Sequence, residues 1–213
     1  THTERGGIFI GIPAAGVIVL LLVWRRRALL PLIGLAGVGA VALIIALQSA
    51  RFARLLDFSQ GTNFFRLRVW QSAINVIRDH PVTGLGLDQF LYAFQGHYIL
   101  PDAWQEPTLS HPHNVILDFW VRLGILGVIL FTWIQWHFWR VALRLYRALF
   151  DGDRVSFAIL IGAMGSMANL LAHGLVDNSV YVQDLTFVFV LLLGLMVHLS
   201  NIGSIDENHE KMV

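Results

Sequence analysis

The stretch ALLPLIGLAGVGAVALIIALQ, residues 28–48, carries no charged side chain. A membrane-spanning helix needs about 20 mostly apolar residues, because the hydrocarbon core is about 30 Å thick and a helix rises about 1.5 Å per residue. This stretch meets that length. With no water to satisfy its backbone groups in lipid, such a segment spans as a helix. Working outward, residues 6–24 are equally free of charge. Residues 115–139 are polar at their start and clean from Leu123 to Phe138, residues 155–176 hold no Asp, Glu, Lys or Arg, and residues 185–199 form a shorter run extendable back to Val180. The expected fold is all-α: a polytopic integral membrane protein with about five transmembrane helices. It is read as a single membrane domain, 1–213, of a C-terminal piece of a longer chain, with one long, partly helical loop at 49–112.

Composition agrees. Of 213 residues, 56% are hydrophobic and only 14% charged, where soluble domains carry roughly 25% charged residues. A net charge of +1 gives no basic surface for nucleic acid. The absence of cysteine excludes disulfides and thiolate-bound metals.

Arginines in short loops orient a membrane chain. Arg25, Arg26 and Arg27 lie between the first two spans, and Arg140, Arg144, Arg147 and Arg154 between the third and fourth. Both loops are expected on the cytoplasmic side, so the long loop and the turn at Asp177 face outward. Small residues at Gly34, Gly37 and Gly39, at Gly124 and Gly127, and at Gly162 and Ser166 are expected where helix backbones approach closely. In the long loop, Asn63 reads as an N-cap, and Phe64, Leu67, Trp70, Ile74 and Ile77 recur at helical spacing. Pro81 ends that helix, residues 84–86 turn, and residues 87–98 offer a second short helix. Together these read as an amphipathic cap on the membrane face.

This topology collects the unusual polar residues on one side: Arg5, Arg66, His111, His113, His173 and Asp177. Ionisable groups bordering membrane spans are costly and are functional candidates. His113 precedes Asn114, a good N-cap. A helix N-terminus favours neutral imidazole, a competent general base, although a histidine there can also serve only to finish the helix start. Arg66 and Trp70 are i, i+4 neighbours, setting a phosphate-grade fork beside an aromatic ring. Arg66 and Arg5 read equally as snorkelling or anchoring cations, and Arg68 as an interfacial charge. A metal would need His111 and His113 joined by His173 or Asp177. Pro112 should turn the two imidazoles apart, and nearby arginines repel a cation, so no metal and no cofactor are expected. Base, cations and carboxylate beside lipid suit a reaction on a polyprenyl-phosphate-linked substrate, with the arginines stabilising a diphosphate leaving group.

Four stretches resemble the C-terminal half of the O-antigen ligase and O-antigen polymerase family of bacterial membrane glycosyltransferases. ERGGIFIG, residues 4–11, is similar to the family's serine–arginine–glycine motif at the start of a span. FRLRVWQSAINVIRDHPVTGLGLDQF, residues 65–90, has the arginine, the tryptophan four residues on, and then P-x-x-G-x-G-x-x-x-F. HPHNVILDFWVRLGILG, residues 111–127, matches the histidine–asparagine motif, and HGLVDNSVYVQDL, residues 173–185, the histidine/aspartate stretch that follows. The resemblance implies metal-independent, inverting transfer of an undecaprenyl-diphosphate-linked glycan donor to an acceptor sugar hydroxyl, lipid-linked or glycan. It implies a bacterial inner (plasma) membrane location with the active site facing the periplasm or cell exterior. By motif, Arg66 and Arg5 would bind the diphosphate and His113 would be the base, with His111 and Asp177 as further catalytic candidates and Asn114, Trp70 and His173 supporting. Glu4 stands where the family commonly has serine, and its carboxylate would weaken the attraction of Arg5 for anions. Ligase and repeat-unit polymerase share this donor chemistry. From another class, a membrane transporter would bury its charges at mid-membrane near broken helices, and a non-catalytic assembly subunit would tolerate loss of His113 and Arg66.

Overall fold

The computed structural model describes residues 10–49, 61–104, 107–177 and 180–210, with side chains excepted at 62 and 202–210. Arg5 and Glu4 lie outside the described residues. All regular structure among them is helical. α1 is Ile12–Trp24, and a 3-10 turn at Arg25–Ala28 leads into α2, Leu29–Leu47. α3 is Gly61–Asp79 and α4 is Phe90–Ala93, continued by a π-turn at Phe94–Tyr98. α5 is Val115–Leu149, α6 is Arg154–Gly174 and α7 is Gln183–Glu210. Four helical runs are long and apolar enough to cross a membrane: Ile12–Leu47, Val115–Leu149, Arg154–Gly174 and Gln183–Asn201. The first contains both N-terminal apolar segments, interrupted where Arg25 takes a left-handed φ of 52°. The chain is therefore a polytopic, all-helical membrane protein.

It divides into two compact units, Trp24–Val128 and Thr1–Val23 with Ile129–Val213. In the second, α6 and α7 pack together, and α6 starts at Asp153, whose carboxylate accepts from the amides of Val155 and Ser156. Those hydrogen bonds hold the Asp153 carboxyl below its usual range. The close approaches of α1 to α6 fall at Gly11 against Asn169 and at Gly165 against Val19. The expected pair Gly162 and Ser166 is exposed instead. The Tyr146 hydroxyl donates to the Leu22 carbonyl at 2.7 Å, fastening the end of α1 to α5.

The first unit has its own core of Val69, Ala73, Val76, Phe90, Phe94 and Val121, all fully buried. The expected apolar stripe of α3 is corrected by this. Leu67 and Ile74 are exposed, because the face that packs is Val69–Ala73–Val76. Asn63 lies inside α3, which begins at Gly61, and so is no N-cap. Among the described residues α2 buries nothing and nothing approaches Gly34, Gly37 or Gly39 within 4 Å, so the close packing expected there is not made among them.

The third span also differs from expectation. Its helix runs on to Leu149, taking Arg140, Arg144 and Arg147 into its last turns instead of a loop. It is broken at Gly124, where φ is 65° and ψ −163°. Such a φ favours glycine, and a Cβ there would lie 1.8 Å from the Val82 carbonyl oxygen. The break leaves backbone groups without helical partners, and residues 81–86 satisfy them. The amides of Leu85 and Gly86 donate to the carbonyls of Val121 (2.7 Å) and Arg122 (3.0 Å), and the Ile125 amide donates to the Pro81 carbonyl at 3.0 Å. The Trp120 indole donates to the same Pro81 oxygen. Gly84, with φ +63°, sits so close that a Cβ would meet the Val121 carbonyl oxygen at 2.6 Å. The P-x-x-G-x-G turn is thus a backbone plug in a broken helix.

Candidate functional site

Asn114 caps α5. Its Oδ1 accepts from the amides of Ile116 (3.0 Å) and Leu117 (3.1 Å), satisfying two of the four donors a helix start leaves open. His113, just before the cap, has φ 51°. A non-glycine residue there costs about 1–2 kcal/mol, and strain of this kind clusters at functional sites. The left-handed residue reverses the chain and brings His113 back against His111. Their rings meet edge to face with centroids 4.4 Å apart, so the imidazoles do not diverge around Pro112 as expected. The Ser110 hydroxyl contacts His111 Nδ1 at 3.1 Å, and Pro112 is fully buried.

One turn into α5, Asp118 is fully buried and Arg122 is 4% exposed. Arg122 Nε donates to Asp118 Oδ1 at 2.9 Å, and Nη1 donates to Asp88 Oδ1 at 2.6 Å. Asp88 is itself left-handed, with φ 56°, at the end of the plugging turn. The ion network therefore locks the turn to the helix that presents His113. The sequence signal for half of it was the Asp118–Arg122 spacing of i, i+4. Asp88 lies 34 residues away and gave none.

On α3, two arginines behave differently. Arg68 is held by Asp102 at 2.6 Å and Gln71 at 3.1 Å, and lies over the Phe64 ring, as befits a structural charge. Arg68 Nε is nonetheless buried without a partner among the described residues, as is Arg66 Nε; the difference is that Arg66 lies on the same helix face as Trp70. The indole Nε1 of Trp70, one turn on from Arg66, is likewise buried with no hydrogen-bond acceptor among the described residues. Buried donors without acceptors are rare and costly. Two on one helix face leave donors that an anionic or strongly accepting group would satisfy.

His173 and Asp177 belong to the other unit. His173 is 8% exposed in the last turn of α6 and Asp177 is 3% exposed just beyond it. The Asp177 amide donates to the His173 carbonyl at 3.0 Å, a helix-type i→i−4 bond that ties Asp177 to the end of α6 at Gly174. Thus Arg66, Trp70, His111, His113 and Asn114 share one compact unit. The buried network of Asp88, Asp118 and Arg122 is the part the sequence reading missed.

Comparison with known proteins points the same way. The O-antigen ligase family is matched over residues 2–132, more than half of the chain and including both the α3 donors and the HPHN cap. A Rickettsia conorii protein, provisionally named a polysaccharide ligase, is 30% identical over 131 residues, which cover 58% of this chain. The match covers 32% of that relative's length. With the broken helix, the plugging turn and the cap all inside the matched region, the chain belongs to the O-antigen ligase family.

Proposed function

We propose that this protein is a membrane glycosyltransferase that moves a glycan from undecaprenyl diphosphate to an acceptor sugar hydroxyl, in the manner of an O-antigen ligase. The observation that carries the reading is the pair of buried donors of Arg66 and Trp70, without acceptors among the described residues, in the same unit as a strained histidine at a capped helix start. Arg66 binds the diphosphate through its planar fork. As the glycosidic C–O bond breaks, negative charge develops on the leaving diphosphate, and a fixed guanidinium stabilises that charge more in the transition state than in the bound donor. His113 accepts the proton of the acceptor hydroxyl as its oxygen attacks the anomeric carbon from the opposite face, which inverts the configuration. His111 and Asn114 orient His113. Arg5, His173 and Asp177 are the further polar contributors, and the reaction runs in the inner membrane with its site facing the periplasm. The name of the relative, a ligase, favours ligation over repeat-unit polymerisation.

The test is glycan transfer by the full-length protein in membranes supplied with lipid-linked glycan and EDTA. Wild type should transfer under EDTA. His113→Ala should lose about 10²- to 10⁴-fold, the usual contribution of a general base, at matched expression. A product of one added glycan per acceptor marks ligation, and a ladder marks polymerisation. Normal transfer by His113→Ala would reduce the HPHN segment to a helix cap and sink the mechanism.

A further inference from the structure

A concavity lies within the same unit, between the last turn of α3 and the π-turn after α4. Asn75, Arg78, Asp79, His97, Tyr98, Ile99 and Leu100 line it, and it encloses about 390 Å³, within the 300–1,000 Å³ range of ligand pockets. The backbone is unusual here. Phe94–Tyr98 is a π-turn, a rare form that recurs at functional sites. Phe94 anchors it in the core, and the wider turn sets the rings of His97 and Tyr98 edge to face, centroids 4.9 Å apart. The Tyr98 hydroxyl donates to Asp79 Oδ2 at 2.8 Å, which ties the π-turn to α3. Burial, and then this carboxylate, hold the Tyr98 hydroxyl above its usual pKa, so it remains a donor.

The chemistry of the lining selects the ligand. A carboxylate, an amide, a guanidinium, an imidazole and a phenol offer donors and acceptors together, beside the short aliphatic wall of Ile99 and Leu100. The lining is mixed, polar and apolar in about equal measure, which fits neither a bare phosphate nor an acyl chain as well as a ligand that is itself mixed. A ring bearing several hydroxyls, apolar on its C–H face and polar at its edge, suits all of these groups at once. We infer that this groove binds a pyranose ring of one of the glycans that the protein joins, as a sugar subsite on α3 and the π-turn. The inference rests on the glycan-transfer reading and adds a specificity element to it. The sugar can come from the donor or from the acceptor.

The experiment measures binding apart from turnover. Full-length protein in detergent is titrated with the free oligosaccharide released from the lipid-linked donor by mild acid. In a second arm it is titrated with the delipidated acceptor saccharide. Binding is read by saturation-transfer NMR. Arg78 and His97 are exposed, so Arg78→Ala and His97→Ala should fold, and monodispersity checks this. One saccharide should bind wild type, and its identity names the source. Each variant should weaken it about tenfold, the effect of losing one good hydrogen bond. In transfer assays the same variants should raise KM for that saccharide and leave kcat near wild type. The inference is overturned if neither saccharide binds wild type, or if both groove variants bind as wild type does. Loss of transfer in His113→Ala together with unchanged groove variants would remove the sugar subsite and leave the mechanism standing. Normal transfer by His113→Ala with weakened binding in the groove variants would do the reverse.

Discussion

Two glycine-bearing regions of this chain behave in opposite ways. On α2, among the described residues, Gly34, Gly37 and Gly39 face open space and no side chain of the helix is buried. At the break in α5, Gly124 and Gly84 are pressed against opposing backbone, and both have positive φ. The residue type is the same and the physics is not. On α2 the glycines are tolerated because lipid asks only for an apolar helix. At the break they are required, since any Cβ would collide with a carbonyl. Small residues in a membrane chain therefore mark close packing only where the backbone conformation or the neighbours demand them.

The largest expected effect tests the demanding side of that contrast. Gly124→Ala adds a Cβ onto the Val82 carbonyl and a residue strained at positive φ. Overpacking and backbone strain of about 1–3 kcal/mol each should strip the protein of folded, detergent-soluble yield, measured by fluorescence-detected size exclusion. Wild-type yield would show that the plug is dispensable. Next comes the ion network behind it. Arg122→Met strands the buried Asp118 carboxylate, and breaking such a pair costs about 3–5 kcal/mol, less where Asp118 takes up a proton. The double variant Arg122→Met with Asp118→Leu should recover most of the lost thermal stability. No recovery would mean the pair's role is not electrostatic. Asn114→Ala should cost about 1 kcal/mol, the usual value of an N-cap, and lower transfer more than stability because it loosens the turn carrying His113. Equal loss of both would make it a cap alone. Smallest, Gly37→Ala on α2 should be neutral or slightly stabilising, by up to about 1 kcal/mol, because alanine is the better helix former. A marked loss of folded protein would reveal a partner covering α2.

The sequence disclosed the apolar runs because length and the absence of charge are sufficient signals in lipid. It disclosed the HPHN cap because Asn114 does there what asparagine does before any helix. Arg66 and Trp70 were found by their i, i+4 spacing, and their lack of acceptors came only from the packed structure. The break at Gly124 was not legible. A single glycine within an apolar run reads as packing, and its meaning depends on Val82 and Pro81, tens of residues earlier. The packed face of α3 was missed for a related reason. Both stripes of that helix are apolar enough to be buried, and the core residues Phe90, Phe94 and Val121 choose between them. Asp88, a lone acid in a turn, acquires its meaning only from Arg122.

The plug also sets an order of assembly. Pro81 receives the Trp120 indole from 39 positions downstream and the Ile125 amide from farther still. Contacts so distant along the chain form late. The loop leaves the ribosome before its partner exists, and its turn is completed only when the first part of α5 is in hand. Completion of this turn thus waits on delivery of the next span to the bilayer, which ties the final fold of the loop to membrane insertion.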